Sequence, residues 1–276
     1  MNKLLFGTAG IPHSCKGTSS SDGVVRVHEL GLSAMELEFV HGVRMKEESA
    51  LSLGKIAKAN EVLLTAHGPF YVNLNAVEPE KKAASEKRVY DTARITALAG
   101  GYSVTFHAAY YLKSTPEQTY SITKKALQLV LDKLHQDKNK IWVRPETTGK
   151  ATQFGSVPEL ISLSQELDQV LPCVDFAHLY ARSIGTVNSF DQFHQVLADI
   201  ETALGRDAIK NMHIHMSGIL HGPKGERNHL ILKETKFNWK AVFRALKEFN
   251  AAGIVISESP NIEDDASIMK NYYDSL

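Results

Sequence analysis

Histidines and carboxylates recur in this chain at one kind of place, just after short apolar runs rich in β-branched residues. Leu-Thr-Ala is followed by His67, Val-Thr-Phe by His107 and Val-Arg-Pro by Glu146. Leu-Pro-Cys-Val leads into Asp175, with His178 three residues later, and Val-Ile-Ser leads into Glu258. His213 and His215 stand two apart in Met-His-Ile-His, which puts both on one face of a strand. A single histidine in such a place is commonly a hydrogen-bonded structural or rim residue. Six consecutive strand ends offering His, Asp or Glu to one mouth are different, because several unpaired carboxylates repel one another unless cations neutralise them. Imidazole mixed with carboxylate, without a thiolate pair, suits Zn²⁺, Mn²⁺ or Fe²⁺ better than Mg²⁺ or Ca²⁺. So many ligands imply more than one ion.

These side chains converge only if the runs before them are parallel strands of one sheet. Eight such runs are present: Leu4–Thr8, Ala34–Phe39, Val62–Ala66, Ser103–Phe106, Ile141–Arg144, Leu171–Val174, Asn211–His215 and Ile254–Ser257. Their spacing of roughly 30 to 40 residues is that of a βα unit. Helical periodicity fills the intervals. Val242, Ala245, Leu246 and Phe249 follow i, i+3, i+4, i+7 along one apolar face. Ile122, Ala126, Leu129, Val130 and Leu134 form another stripe, entered where Ser114 or Thr115 can cap and Pro116 can take the first turn. The Lys-, Glu- and Ala-rich stretch Glu78–Ala99 predicts a long helix with a solvated side. Eight βα units predict an α/β fold, a (β/α)8 TIM barrel forming one domain over residues 1–276, with its chemistry at the C-terminal ends of the strands. An open doubly wound sheet fits the same alternation. The count of eight favours the barrel, and Gly7-Thr8-Ala9-Gly10 lacks the spacing of a dinucleotide fingerprint.

The composition bounds the partners. Thirty-one basic residues balance thirty-one acidic ones, so no overall positive field holds nucleic acid, and any such contact needs a local patch. At 43% hydrophobic and 22% charged the chain can bury a full core, which excludes disorder as its main state. No apolar run approaches the ~20 residues of a membrane helix, and the N-terminus does not have the form of a signal peptide, so a cytoplasmic protein with no membrane partner is expected. Cys15 and Cys173 are too few for a disulfide framework or a zinc knuckle and are expected to be reduced thiols.

Taken together and in order, His-Gly-Pro-Phe-Tyr-Val-Asn-Leu, Phe-His-Ala, Pro-Glu-Thr-Thr-Gly, Val-Asp-Phe-Ala-His, Met-His-Ile-His and Ser-Glu-Ser resemble the endonuclease IV family, over nearly the whole chain. The resemblance implies a TIM barrel with a trinuclear zinc cluster, an apurinic/apyrimidinic endonuclease that cleaves the DNA backbone 5′ to an abasic site. It implies one zinc on His67, His107 and Glu146, with Glu146 bridging to a second held by Asp175, His213 and Glu258. The third would take His178 and a later Asp-x-His pair. There this chain has Gly225-Glu226-Arg227-Asn228-His229, which leaves His229 and the longer carboxylate Glu226 as candidates, a spacing one residue longer, and two or three ions expected. His221 is a further candidate. Two such ions neutralise the non-bridging oxygens of a phosphodiester and activate water. Glu146 and Glu258 are the expected catalytic carboxylates, able to orient or deprotonate that water. His215 is expected to hold phosphate or to support a ligand from behind.

DNA on a neutral protein needs basic side chains around the mouth, and Lys16, Arg44, Lys150, Arg182, Lys224 and Arg227 all follow strand ends. Phe70, three residues after His67, falls where the resembled family places an aromatic wedge. The implied partner is double-stranded DNA with abasic sites, bound by a monomer. Two other readings compete. A sugar isomerase or epimerase of the xylose isomerase-like barrels needs only Glu146, Asp175, His213 and Glu258, and leaves His67, His107 and His178 without a task. A lesion-binding protein would keep the groove and two ions without turnover.

Overall fold

The computed structural model describes residues 1–276. All eight expected runs are strands: β1 (Leu4–Ala9), β2 (Ala34–Glu38), β3 (Leu63–His67), β4 (Ser103–Phe106), β5 (Trp142–Pro145), β6 (Cys173–Asp175), β7 (Met212–Met216) and β8 (Gly253–Ser257). They are parallel and hydrogen-bonded in the order β5-β4-β3-β2-β1-β8-β7-β6. Parallel bridges between Val143 and Val170 and between Glu146 and Cys173 join the two ends, so the sheet closes into the TIM barrel.

Helices fill the connections: α1 (Ser20–Glu29), α2 (Glu47–Ala59), α3 (Pro79–Leu98), α4 (Pro116–Gln136), α5 (Val157–Glu166), α6 (Phe176–Arg182), α7 (Phe190–Leu204), α8 (Arg206–Ile209), α9 (Trp239–Glu248) and α10 (Glu263–Asp274). Of the two possible caps of α4 the structure uses Thr115, whose hydroxyl accepts from the Gln118 amide at 3.3 Å. No helix is long and apolar enough to cross a membrane.

Stability and chemistry occupy different layers. Outward-facing strand residues such as Leu64, Val104, Val143, Ile214 and Val255 pack with Leu127, Leu131, Val242 and Leu246 of the helices in one large apolar core. Inside the barrel only Ala34, Ile254 and Ile256 form an apolar plug. Above it the interior is polar, with Glu36, Thr65, Ser103, Thr105, Glu146, His213 and His215 all buried. A strand alternates its side chains between faces, so these residues share the barrel lumen while their neighbours build the core. The loops at the C-terminal rim are tied together by two small antiparallel pairs, Ala109–Tyr110 with Gln153–Phe154, and the hairpin Gly218–Gly222 with Gly225–Leu230.

Candidate metal centre

Of four groups of potential ligand atoms, three converge at the rim, and the fourth, Cys173, His213 and His215, lies deeper in the barrel. The first is His67, His107 and Glu146. His67 ends β3 and turns its Nδ1 to the Gly68 carbonyl at 2.7 Å, which turns Nε2 to the lumen, 3.2 Å from Glu146 Oε2. His107 Nε2 lies 3.4 Å from the same oxygen. The second group is Glu146, Asp175, His215 and Glu258. His215 Nδ1 stands 3.3 Å from Glu146 Oε1 and 3.3 Å from Glu258 Oε1. Asp175 ends β6 and caps α6, where its Oδ1 accepts from the His178 amide at 2.7 Å. The Asp-x-x-His spacing thus spends one carboxylate oxygen on the helix and frees the other for a ligand.

The third group is His178, Glu226 and His229. His178 donates from Nδ1 to the Thr147 carbonyl at 2.9 Å, and His229 does the same to the Glu258 carbonyl at 3.1 Å, so both present Nε2. Glu226 Oε2 is 3.6 Å from His178 Nε2. The altered spacing in this stretch has a structural explanation. In the hairpin Leu220 pairs with Asn228 but His221 pairs with Glu226, so Arg227 is the extra residue of a β-bulge. The bulge absorbs the additional residue and returns Glu226 and His229 to one side. Two glycines let the hairpin dock: the Glu226 amide donates to the Gly149 carbonyl at 2.9 Å, and a Cβ on Gly225, whose φ is +94°, would fall 2.3 Å from that oxygen.

Charge in the lumen is balanced by proton uptake. Burial raises Glu146, but the charges of His215 and His107 hold it well below the usual carboxylate range. Burial likewise opposes ionisation of Glu258, and His215 holds it down to about 2. Burial pushes Asp175 up to about 7 against the pull of His178. Burial alone would lower His67, but its contact with Glu146 raises it to about 10. The donor set fits metal ions. Asp175 Oδ2 and Glu258 Oε2 are buried with no hydrogen-bond partner, and imidazoles oriented by backbone carbonyls surround the carboxylates, so these clusters could bind metal. A cavity of about 970 Å³ lies at the opposite end of the barrel beside Tyr102, Asp137 and Trp142 and holds none of these ligands.

Several expected positions differ. His213 does not stand beside Asp175 and Glu258; His215 does. β7 continues to Met216, and its register pairs Asp175 with His215 and Cys173 with His213. At ~3.3 Å per residue His213 sits about 6–7 Å deeper, where its Nε2 is 3.1 Å from Glu36 Oε2. Arg182 is not a free rim charge, since its Nη1 bonds Thr148 Oγ1 at 2.9 Å, the Lys150 carbonyl at 2.7 Å and the Gln153 carbonyl at 2.9 Å. His221 packs edge-on to Tyr180 at 5.1 Å and joins no ligand group. Lys16, Arg44, Lys224 and Arg227 are exposed, and Lys150 is half-buried. Phe70 is 55% exposed, edge-on to Tyr71 at 5.2 Å. Both cysteines are free. Glu36, fully buried under His215, and Glu38, exposed at the end of β2, were not singled out by the sequence.

Residues 24–273 match the family model described as xylose isomerase-like TIM barrel. An uncharacterised protein of Methanocaldococcus jannaschii is 46% identical over 273 residues, covering 99% of this chain and 98% of that one. A probable endonuclease 4 of Aster yellows witches'-broom phytoplasma is 23% identical over 187 residues, 66% of this chain and 60% of its own. Among solved structures, a D-tagatose 3-epimerase-like protein superposes with a TM-score of 0.73 at 16% identity, over 97% of this chain and 96% of its own. Endonuclease IV from Thermus thermophilus does so with a TM-score of 0.71 at 19% identity, over 98% and 100%. These two likenesses establish the fold.

Proposed function

We propose that this chain, which belongs to the xylose isomerase-like TIM barrel family, is a zinc-dependent endonuclease that hydrolyses the DNA phosphodiester 5′ to an abasic site. The observation that carries this reading is the presence of three ligand groups at one mouth, the first two sharing Glu146. A phosphodiester needs charge on both non-bridging oxygens and on the departing 3′ oxygen, and that is a task for more than one cation.

His67, His107 and Glu146 would hold the first ion, Glu146, Asp175, His215 and Glu258 the second, and His178, Glu226 and His229 the third. When bound, zinc supplies Lewis acidity and lowers the pKa of water. The side chains supply position and proton transfer. Glu258 faces His215 through Oε1, while its Oε2 has no partner within the protein and is the acceptor for the proton of the attacking water. Glu146 is buried and surrounded by imidazoles, which fix the geometry across which the phosphate is bound. Phe70 and Tyr71, both exposed at the rim, offer an apolar surface to the gap left by a missing base. Lys16, Arg44, Lys224 and Arg227 face solvent around the mouth and would track the flanking phosphates.

One observation favours a second reading. Glu146, Asp175, His215 and Glu258 form a four-ligand set by themselves, sufficient for sugar isomerisation or epimerisation at one ion. On that reading the other two groups have no use, which is why the nuclease is preferred. The test is incision of a duplex carrying one abasic site by the zinc-loaded protein, beside intact duplex and a Glu258→Gln variant. Cleavage at the lesion by the unaltered protein, lost in the variant, is expected. No cleavage by folded, metal-loaded protein would overturn the proposal.

A further inference from the structure

Beneath the second ligand group lies a buried carboxylate that belongs to none of the three. Glu36 projects from β2 into the lumen and is fully buried. Its Oε1 is 2.9 Å from His215 Nε2 and its Oε2 is 3.1 Å from His213 Nε2. Oε2 also accepts from Thr65 Oγ1 at 2.8 Å. On the far side of His213, Nδ1 lies 3.0 Å from Ser103 Oγ. Strands β2, β3, β4 and β7 each contribute one member or more, so the arrangement is a product of barrel closure. A carboxylate this deep is costly unless donors surround it.

The orientation of His215 gives Glu36 a task. His67, His178 and His229 each point Nδ1 at a backbone carbonyl and Nε2 at the ligand groups. His215 is reversed. It points Nδ1 at Glu146 and Glu258, and its Nε2 faces down the barrel to Glu36 Oε1 at 2.9 Å, with the Cys173 thiol also beside the ring. These contacts are short but bent, so Glu36 Oε1 and both Nε2 atoms complete no aligned hydrogen bond. With a cation on Nδ1 the ring can carry its proton only on Nε2, and the acceptor for that proton is Oε1.

On the reading of the rim as a metal centre, we propose that Glu36 is a positioning residue that fixes the tautomer and the ring plane of His215, with Thr65 and His213 anchoring its other oxygen. The carboxylate does for His215 what backbone carbonyls do for His67, His178 and His229, and a charged acceptor makes this imidazole a stronger electron donor than those three. Loss of such a partner typically weakens metal affinity about 10- to 100-fold.

The experiment is zinc titration of the full chain against a chromophoric chelator, with bound zinc counted per chain, for the wild type, Glu36→Gln and His213→Asn. Long-range proton–nitrogen NMR of the histidine rings accompanies it. Glu36→Gln is expected to weaken one ion about 10- to 100-fold while leaving the other two at wild-type affinity, with His213→Asn weakening the same ion less. The zinc-loaded wild type should show His215 protonated on Nε2. Three ions at unchanged affinity in Glu36→Gln would overturn the proposal. So would four ions in the wild type with one lost in the variant, because Glu36 would then be a ligand. If Glu36→Gln fails to fold, the tautomer in the wild type decides, and a proton on Nδ1 overturns it. A wild type that binds no zinc would instead overturn the metal-centre reading itself.

Discussion

Gly149→Ala is expected to empty the third ligand group and leave the other two intact. Gly149 lies in the loop after β5, against the bulged hairpin. A methyl group there would sit 2.7 Å from Glu226 Cβ, 2.7 Å from Glu226 Oε2 and 3.1 Å from His178 Cδ2. Carbon atoms rest about 3.5–4.0 Å apart, so the methyl intrudes on Glu226 by about 1 Å. Rotation moves Oε2 away but not Cβ, so the relief is for the hairpin to shift off the loop and carry Glu226 out of the site. Overpacking of this size costs about 1–3 kcal/mol. Referred to the ion held by His178, Glu226 and His229, that corresponds to about 5- to 150-fold weaker binding. Zinc titration with a competing chelator and thermal unfolding of the same sample read both quantities. One ion of three weakened, with the metal-free protein still folded and its melting temperature lowered by a few degrees at most, is the expected result. Wild-type affinity for all three ions would refute the docking geometry, and loss of all three would refute their independence.

Three further outcomes follow from the same geometry. His67, raised to about 10 by Glu146 against the effect of burial, carries a proton at neutral pH in the metal-free protein, so zinc must displace it. Zinc uptake should therefore release protons and strengthen about tenfold per pH unit per proton displaced as pH rises from about 6 to 9, which calorimetry in buffers of different ionisation heat would measure. Phe70→Ala, at a 55% exposed position, should weaken binding of an abasic duplex by about 1–3 kcal/mol without altering metal content, as read by fluorescence anisotropy beside intact duplex. Arg182→Ala removes the donor that binds Thr148, Lys150 and Gln153 and should destabilise the fold by about 1.5–3 kcal/mol in denaturant titration.

The elements were legible because parallel strands in a barrel are apolar on the face toward the helices and are followed by strongly periodic helices. Each of the eight expected runs is a strand, and the segment 78–99 is the long helix α3. Residues at the rim were legible for the same reason, since a strand end is a place in the sequence as well as in space. What could not be read was depth. His213 and His215 share a face, and which of them reaches the rim depends on whether β7 stops at His215 or at Met216. Glu36 was hidden in Ala-Met-Glu-Leu-Glu, whose alternation has the form of a strand with one side in water. In a closed barrel that side is the lumen. The bulge at Arg227 leaves no local signature either; Glu226 and His229 look mis-spaced until the hairpin register shows the extra residue.

The most direct measurement is a side-by-side assay of one zinc-loaded preparation on two substrates, an end-labelled duplex with a single abasic site and a ketohexose. The account predicts a cut on the 5′ side of the lesion, leaving a 3′-hydroxyl, no cut in the intact duplex, and no change in the sugar. Epimerised or isomerised sugar with the damaged duplex left whole would contradict it.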